Sequence, residues 1–181
     1  MRPLCLTISR DGWKVNHLKD GRAVKEDEQT IGGAVGRILS GCSVLTAEHD
    51  GRSNGILVSW VQQAAFEPLS VTVCLKHRRP VVEIIDASQK FLLNVIGEES
   101  ADLLKHFAKG FSSEEDAFAG LGVRDTGFGP LVESCIAHIG CNVVNKVTVG
   151  DHYLYVGEVA AGGYVENARP FVHVRRDGLS Y

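Results

Sequence analysis

Apolar residues recur after residue 42 in short alternating runs, the pattern of β-strands that bury one face. Turn-forming residues separate these runs. The strand-like segments are CSVLTAEHDGRSNGILVSW, LSVTVCL, KFLLNVI, CIAHIGCNVVNKVTV, HYLYVGEVAAGGYV and FVHV. In the first of them, EHDGRS predicts a hairpin turn in which Gly51 adopts a positive φ.

Helical spacing is confined to a few short segments. EQTIGGAVGRILSG has apolar residues on one face and is predicted to end at Gly41. RPVVEIIDAS carries Pro80 in its first turn, and EESADLLKHFAKGF begins with acids and has Lys105 near its end. Six strand-like segments with few short helices predict a mainly β fold, a β-barrel rather than a β-α-β sheet.

The N-terminal residues differ from the rest. LCLTI and WKVNHL could pair as a hairpin around SRDG, and the charged segment KDGRAVKEDEQ follows. We therefore expect an N-terminal extension at residues 1–29 and one domain at residues 30–181, a length that can bury a full core.

The composition excludes several function classes. Hydrophobic residues make up 44% of the chain and charged residues 23%, with a net charge of -3, which is ordinary for a soluble globular protein. This balance argues against nucleic-acid and membrane-surface partners. Since we find neither a membrane-spanning apolar run nor a signal peptide, we expect a cytoplasmic location.

The cysteines and histidines do not indicate a metal site. The five cysteines form no CxxC pair and the seven histidines lack ligand spacing, so no metal and no disulfide framework is predicted. Four of the cysteines lie in apolar runs and are expected to be small buried hydrophobic residues: Cys42, Cys74, Cys135 and Cys141.

The segment SNGILVSWVQQAAFEPLSVTVCL interrupts the strand pattern. After Val58, the polar residues Ser59, Gln62 and Gln63 stand among small residues before the chain turns at Pro68. Small side chains and unpaired backbone N–H groups would let a flat ring approach the backbone. A bulged barrel corner with solvated glutamines fits the same residues.

A basic segment, CLKHRRP, lies between a strand and a helix. Lys76, Arg78 and Arg79 precede the predicted helix N-terminus, where backbone amides favour an anion such as phosphate. A solvated basic loop is the alternative.

The triplet of Gly150, Asp151 and His152 precedes a strand-like run. A turn alone would explain it, because glycine and aspartate are common in turns. We expect Asp151 to fix this turn rather than to contact a substrate.

The order of GRILSGCSVLTA, DGRSNGILVSWVQQAAFEPLSVTVCL, FLLNVI, LLKHFA and GDHYLYVGEV resembles the flavin reductase-like domain family. The resemblance covers residues 30–181, and LVSWVQQAAFEP is most similar to the reductase-type domain of flavodiiron proteins. It implies an FMN-binding split β-barrel of Greek-key type, with FAD as the cofactor in some members. It also implies a homodimer with the flavin near the subunit interface.

The resemblance also implies roles for individual residues. His152 would lie near the flavin and the nicotinamide as the catalytic residue. The residues implied to bind the cofactor are Leu57, Val58, Ser59, Trp60, Gln63, Ala64, Lys76, Arg78, Arg79, Phe107, Ala108 and Lys109. Many relatives have Asn-Ser where this chain has Ser59-Trp60, Ser-Val in place of Gln63-Ala64, and serines or threonines in place of the basic loop. Trp60 could stack on a ring or fill the core.

The implied function is an FMN-dependent NAD(P)H:flavin reductase that passes a hydride from nicotinamide C4 to flavin N5, with NAD(P)H as co-substrate. Its electrons would serve an oxygenase or another acceptor protein. Two other hypotheses stay open: a flavin-binding electron-transfer module with little NAD(P)H activity, and a non-catalytic split-barrel binding protein.

Overall fold

The computed structural model describes residues 28–175 and 178–179. Its elements in chain order are α1 (Glu28–Gly36), β1 (Ser40–Gly41), β2 (Ser43–His49), β3 (Arg52–Val58), β4 (Val61–Phe66), β5 (Leu69–Lys76), α2 (Pro80–Ser88), β6 (Lys90–Val95), a 3₁₀ turn (Glu98–Ser100), α3 (Asp102–Ala108), β7 (Val123–Arg124), β8 (Leu131–Val132), β9 (Ala137–Val149), β10 (His152–Tyr164) and β11 (Val172–His173). The chain is mainly β, and its few helices are short. Within the described part of the chain, no helix has both the length and the apolar character that crossing a membrane requires.

Seven strands form one sheet, in the order β3-β2-β6-β9-β10-β5-β4. The two strands at its edges, β3 and β4, are consecutive in the chain and are connected only by Ser59 and Trp60. A sheet whose opposite edges are two residues apart must curl until those edges approach each other. No ladder joins β3 to β4 among the described strands, so the result is a split barrel.

The hairpin between β2 and β3 turns at Asp50 and Gly51, both with positive φ (49° and 75°). These are the dihedral signs of the tight turn that matches strand twist, and glycine adopts them without steric cost. β9 and β10 are joined by another two-residue turn, Gly150 and Asp151, in which Gly150 has a positive φ of 55° and Asp151 does not, and Val149 lies opposite His152.

Two hydrophobic clusters fill the barrel region. The larger lies between the inner face of the sheet and α2, and its fully buried members include Val73, Ile85, Phe91 and Tyr155. The smaller cluster lies beneath α3 and the loop that follows it, and the Phe107 ring contacts both Phe111 and Phe118 there. α2 and α3 are therefore held by apolar burial against the sheet.

A set of polar contacts among Tyr155, Asp86 and Lys146 lies at the edge of the larger hydrophobic cluster. The Tyr155 hydroxyl donates a hydrogen bond of 2.9 Å to Asp86 Oδ1 on α2, and Lys146 Nζ lies 2.6 Å and 2.8 Å from the two carboxylate oxygens. The Lys146 ammonium also lies 3.8 Å from the centroid of the Tyr153 ring. Burial is the main reason that the pKa of Tyr155 is raised, with the hydrogen bond to Asp86 second. These contacts connect α2 to the hairpin of β9 and β10.

Among the described residues, 28–39, 174–175 and 178–179 group separately from 40–173. Within this smaller unit, the Gly178 amide donates to the Gly32 carbonyl, 2.6 Å away. The domain boundary that we placed at residue 30 stays a prediction.

The mainly β split barrel is confirmed, and so are the predicted hairpin at Gly51, the helix that begins at Pro80 and the strands β5, β6, β9, β10 and β11, whereas the short strands β7 and β8 were not predicted. Two segments differ. Val61–Phe66 forms strand β4, where we expected a break, because this edge strand has little buried surface and so lacks apolar alternation. α1 ends at Gly36 and not at the predicted Gly41, because the glycines within it weaken the helix.

The predicted N-terminal hairpin lies outside the described residues. Cys42 and Cys141 are buried as predicted, whereas Cys74 and Cys135 are half-buried. Burial raises the pKa of Cys135 and Cys141 to about 12, so these thiols stay protonated at neutral pH.

Replacement of Tyr155 by Phe should lower the free energy of unfolding by about 1.5 kcal/mol, because it removes a hydrogen bond to a charged group. Urea denaturation followed by circular dichroism measures this change. Tyr164→Phe is the matched control, since Tyr164 is 79% exposed and its loss of a hydroxyl should have little effect. Equal stability of the wild type and the Tyr155 variant would show that the hydrogen bond from Tyr155 to Asp86 does not stabilise the fold.

Candidate functional site

Most of the candidate residues near the turn of β9 and β10 lie on the outer face of the sheet. Strand alternation points Val73, Leu75 and Tyr155 into the core, so their neighbours on β5 and β10 point outward. His152 and Lys76 are direct partners across these two antiparallel strands. The sheet therefore brings together two residues that stand 76 positions apart in the sequence.

Trp60 lies at the split between the two sheet edges. Its carbonyl accepts a hydrogen bond of 3.0 Å from the Cys74 amide, which holds the link against β5. Its ring lies 4.9 Å from the His152 ring, centroid to centroid, with the planes tilted by 38°. Trp60 is half-buried, so it does not simply fill the core, and it forms a wall beside His152.

Asp151 contacts three groups around this wall. Its Oδ1 lies 2.7 Å from His152 Nδ1, and its Oδ2 lies 3.9 Å from Lys76 Nζ. Its backbone carbonyl accepts a hydrogen bond of 3.0 Å from the His77 amide. The pKa of Asp151 is lowered, first by the hydrogen bond from His152. Asp151 thus lies in the turn, as we expected, and its side chain also contacts the histidine.

Leu57, Val58 and Ser59 lead into the same split. Val58 and Ser59 are buried, and Leu57 packs on the smaller hydrophobic cluster. The Ser59 hydroxyl is buried and has no hydrogen-bond partner among the residues that the structure describes. Because β3 has a strand neighbour on one side only, alternate backbone groups of residues 52–58 have no ladder partner. Unpaired polar groups thus gather where the ring-binding segment was predicted.

Gln63 and Ala64 lie on the edge strand β4. The register with β5 shifts between Gln63 and Ala65, and both glutamines of this strand are exposed. These are the features that the bulged-corner interpretation predicted. They place Gln63 and Ala64 at the edge opposite β3.

The basic loop continues directly from β5. Arg78 has a positive φ of 61°, and Arg79 is the residue that precedes the first turn of α2. Both arginines are exposed, and neither forms an ion pair with a carboxylate in the described part of the chain. Two guanidinium groups and the amides at the start of α2 therefore form a local positive surface.

The segment Phe107–Lys109 lies at the end of α3. The Phe107 side chain is fully buried in the smaller hydrophobic cluster, whereas Ala108 and Lys109 are exposed. The next residue, Gly110, lies against the Arg79 guanidinium: a Cβ built there would be 3.4 Å from Nη1. The structure thus brings the end of α3 to the basic loop, and Phe107 anchors the segment from inside.

Sequence reasoning did not find two side chains of this region. His77 lies between Lys76 and Arg78 in the basic segment, and its ring contacts the Tyr153 ring, with centroids 4.1 Å apart. The Asp151 carboxylate, which we expected in the turn, also contacts His152. In the described part of the chain, no group of His, Cys, Asp and Glu side chains is arranged to hold a metal ion.

Most of the chain is similar in sequence to proteins of one known family. The family model for the flavin reductase like domain matches residues 35–178. A putative diflavin flavoprotein A 6 from Nostoc sp. is 34% identical over 151 residues, which are 82% of this chain and 26% of that protein. The chain spans about a quarter to a third of the length of the curated relatives that it matches.

Solved structures share the fold. A homologue of nitrilotriacetate monooxygenase component B from Mycobacterium thermoresistibile superposes with a TM-score of 0.71 at 26% identity, covering 80% of each chain. The flavin reductase PheA2 superposes with a TM-score of 0.70 at 26% identity, covering 81% of this chain and 93% of that one.

Removal of the Ser59 hydroxyl should leave the stability of the ligand-free protein almost unchanged, because this group makes no hydrogen bond to any residue that the structure describes. Ser59→Ala should shift the free energy of unfolding by less than about 0.5 kcal/mol. Ser70→Ala is the matched control: both serines are 5% exposed, but the Ser70 hydroxyl donates to the Pro68 carbonyl at 2.8 Å.

The control should therefore lose about 1 kcal/mol in the same urea denaturation. A loss at Ser59 as large as that at Ser70 would mean that the Ser59 hydroxyl has a partner within the protein.

Proposed function

The chain belongs to the flavin reductase-like domain family, and we propose that it is a flavin oxidoreductase that binds FMN and reduces it with NAD(P)H. The observation that carries this proposal is the buried Ser59 hydroxyl, which has no hydrogen-bond partner among the described residues and stands in the chain between the edge strand β3 and Trp60 of the Trp60–His152 wall. A bound flavin would satisfy polar groups that folding leaves unpaired.

The residues present fit a flavin with a terminal phosphate. Backbone groups near Leu57, Val58 and Ser59 would hold the polar edge of the ring, since they need no titration to donate or accept. Lys76, Arg78 and Arg79 would hold the phosphate at the start of α2. Gln63, Ala64, Ala108 and Lys109 would border the cofactor. A bound flavin supplies a ring that accepts a hydride and passes electrons on.

The remaining site residues orient and shield the reactants. Trp60 and His152 present two adjoining rings, which would restrict how a nicotinamide approaches and would keep water from that side. His152 is 13% exposed at its side chain, so it can reach a ligand while staying fixed in the wall. We propose His152 as the catalytic residue on this basis.

The outer face of the sheet supports a homodimer. Val147 and Val149 are 42% and 55% exposed, and they lie opposite Leu154 and His152 across the β9–β10 ladder. An apolar surface that runs up to the site would be covered by a second copy of the chain, which would give the flavin its second wall.

The electrons would pass to an oxygenase or another acceptor protein, in a cytoplasmic setting. The flavin electron-transfer module remains the second candidate. The contact of the Trp60 indole with His152 favours it, because a bulky ring there leaves less room for a nicotinamide.

Exchange of Arg78 and Arg79 for Ala should weaken FMN binding by at least tenfold and leave riboflavin binding nearly unchanged, because riboflavin lacks the phosphate. Flavin fluorescence quenching measures both affinities. Arg124→Ala with Arg169→Ala is the matched control, two exposed arginines removed elsewhere on the surface. Equal losses for the two ligands would remove the phosphate assignment, and no binding of either flavin by the wild type would contradict the proposed function.

Leu154→Glu should convert the dimer into a monomer and weaken flavin binding, because it places a charge in the apolar outer face. Light scattering gives the molar mass, and the flavin titration is repeated on the same sample. Val165→Glu, at an exposed apolar residue beyond the end of β10, should do neither. A wild type that is monomeric with flavin tightly bound would contradict a shared site.

A further inference from the structure

The side chain of Asp151 is directed to one partner although it lies in an exposed turn. Its side chain is 71% exposed, yet Oδ1 is within 2.7 Å of His152 Nδ1. The other carboxylate oxygen faces Lys76 at 3.9 Å, a distance at which an exposed pair contributes little. The histidine is therefore the main partner of this carboxylate.

The turn does not need this carboxylate in order to keep its shape. The Asp151 carbonyl is already fixed by the His77 amide, and the ladder pairs His152 with Lys76 on one side and with Val149 on the other. The hydrogen bond from the histidine is made by the side chain alone. Its loss should leave the backbone of the hairpin in place.

The His152 ring is held from two directions. Asp151 occupies Nδ1, and the Trp60 ring packs against the imidazole. A carboxylate on Nδ1 fixes the proton there and leaves Nε2 as the nitrogen that can meet a ligand. The same pairing sets the rotation of the ring about its bond to Cβ.

We propose that Asp151 is a positioning residue, which locks His152 with Nδ1 protonated and turns Nε2 towards the carboxamide of a bound nicotinamide. This inference rests on the proposed function, and it assigns Asp151 a role beyond the turn. Asp151 itself touches neither substrate nor cofactor. Lys76, which faces the second carboxylate oxygen, is the other charged group in contact with Asp151 among the described residues.

Asp151→Ala tests this proposal, with Asp50→Ala as the matched control. Asp50 also lies in a two-residue hairpin turn beside a histidine, with Oδ2 at 3.4 Å from His49 Nε2, but in the hairpin of β2 and β3. Anaerobic stopped-flow reduction of bound FMN should be about tenfold slower at subsaturating NAD(P)H in the Asp151 variant. FMN affinity and the urea midpoint should stay unchanged in Asp151→Ala, and Asp50→Ala should bind FMN and be reduced as the wild type is.

Nitrogen-15 NMR of the histidines supplies a readout that does not depend on activity. His152 should show a protonated Nδ1 in the wild type and in Asp50→Ala, and a population shifted towards the Nε2-protonated form in Asp151→Ala. An Asp151 variant with the wild-type tautomer and the wild-type reduction rate would overturn the proposal. So would an equal loss of rate in the Asp50 variant.

Failure of the proposed function gives a different result. If neither NADH nor NADPH reduces FMN bound to the wild type, the proposed function is wrong and the nicotinamide role of Asp151 is overturned with it. If the wild type is reduced and Asp151→Ala is reduced equally fast, only the positioning role is overturned.

Discussion

The covalent link of two residues between β3 and β4 constrains the whole barrel. These strands are the opposite edges of a seven-stranded sheet, and Ser59 with Trp60 is all that separates them in the chain. The sheet must curl to satisfy this link, and the curl encloses the larger hydrophobic cluster with α2 at its side. The Trp60 carbonyl accepts a hydrogen bond from the Cys74 amide on β5, which holds the link on the β5 side. The two edges therefore approach each other, but no β3–β4 ladder forms among the described strands.

The candidate site follows from this open seam. An edge strand carries backbone groups without a ladder partner, and the seam places those of β3 beside the buried Ser59 hydroxyl. The register of β5 with β10 then sets His152 next to Lys76, and the Trp60 ring closes that side. The basic loop leaves β5 at the same end. One topological constraint thus gathers the edge strand β3, the basic loop and the Trp60–His152 wall.

Much of the fold could be predicted from the sequence because the interior strands are apolar on one face and end at glycine turns. β4 could not, since an exposed edge strand such as residues 61–66 buries too little to show alternation. The individual site residues could be predicted from the family resemblance and from their chemistry. Which of them lie next to each other depends on the register between β5 and β10, which the sequence does not show. The contacts of Asp151 with Lys76 and of His77 with Tyr153 exist only once β5 and β10 pair. The burial of Phe107 likewise depends on how α3 packs.

The central claim is that this seam holds a flavin which a nicotinamide can reduce. The most direct measurement is anaerobic stopped-flow absorbance of the FMN-loaded wild type mixed with NADH or NADPH. The account predicts that the absorbance of bound oxidised flavin is lost at a rate that saturates with at least one nucleotide. Bound flavin that stays oxidised with both nucleotides, at full occupancy, would contradict the reductase and leave an electron-transfer module in its place.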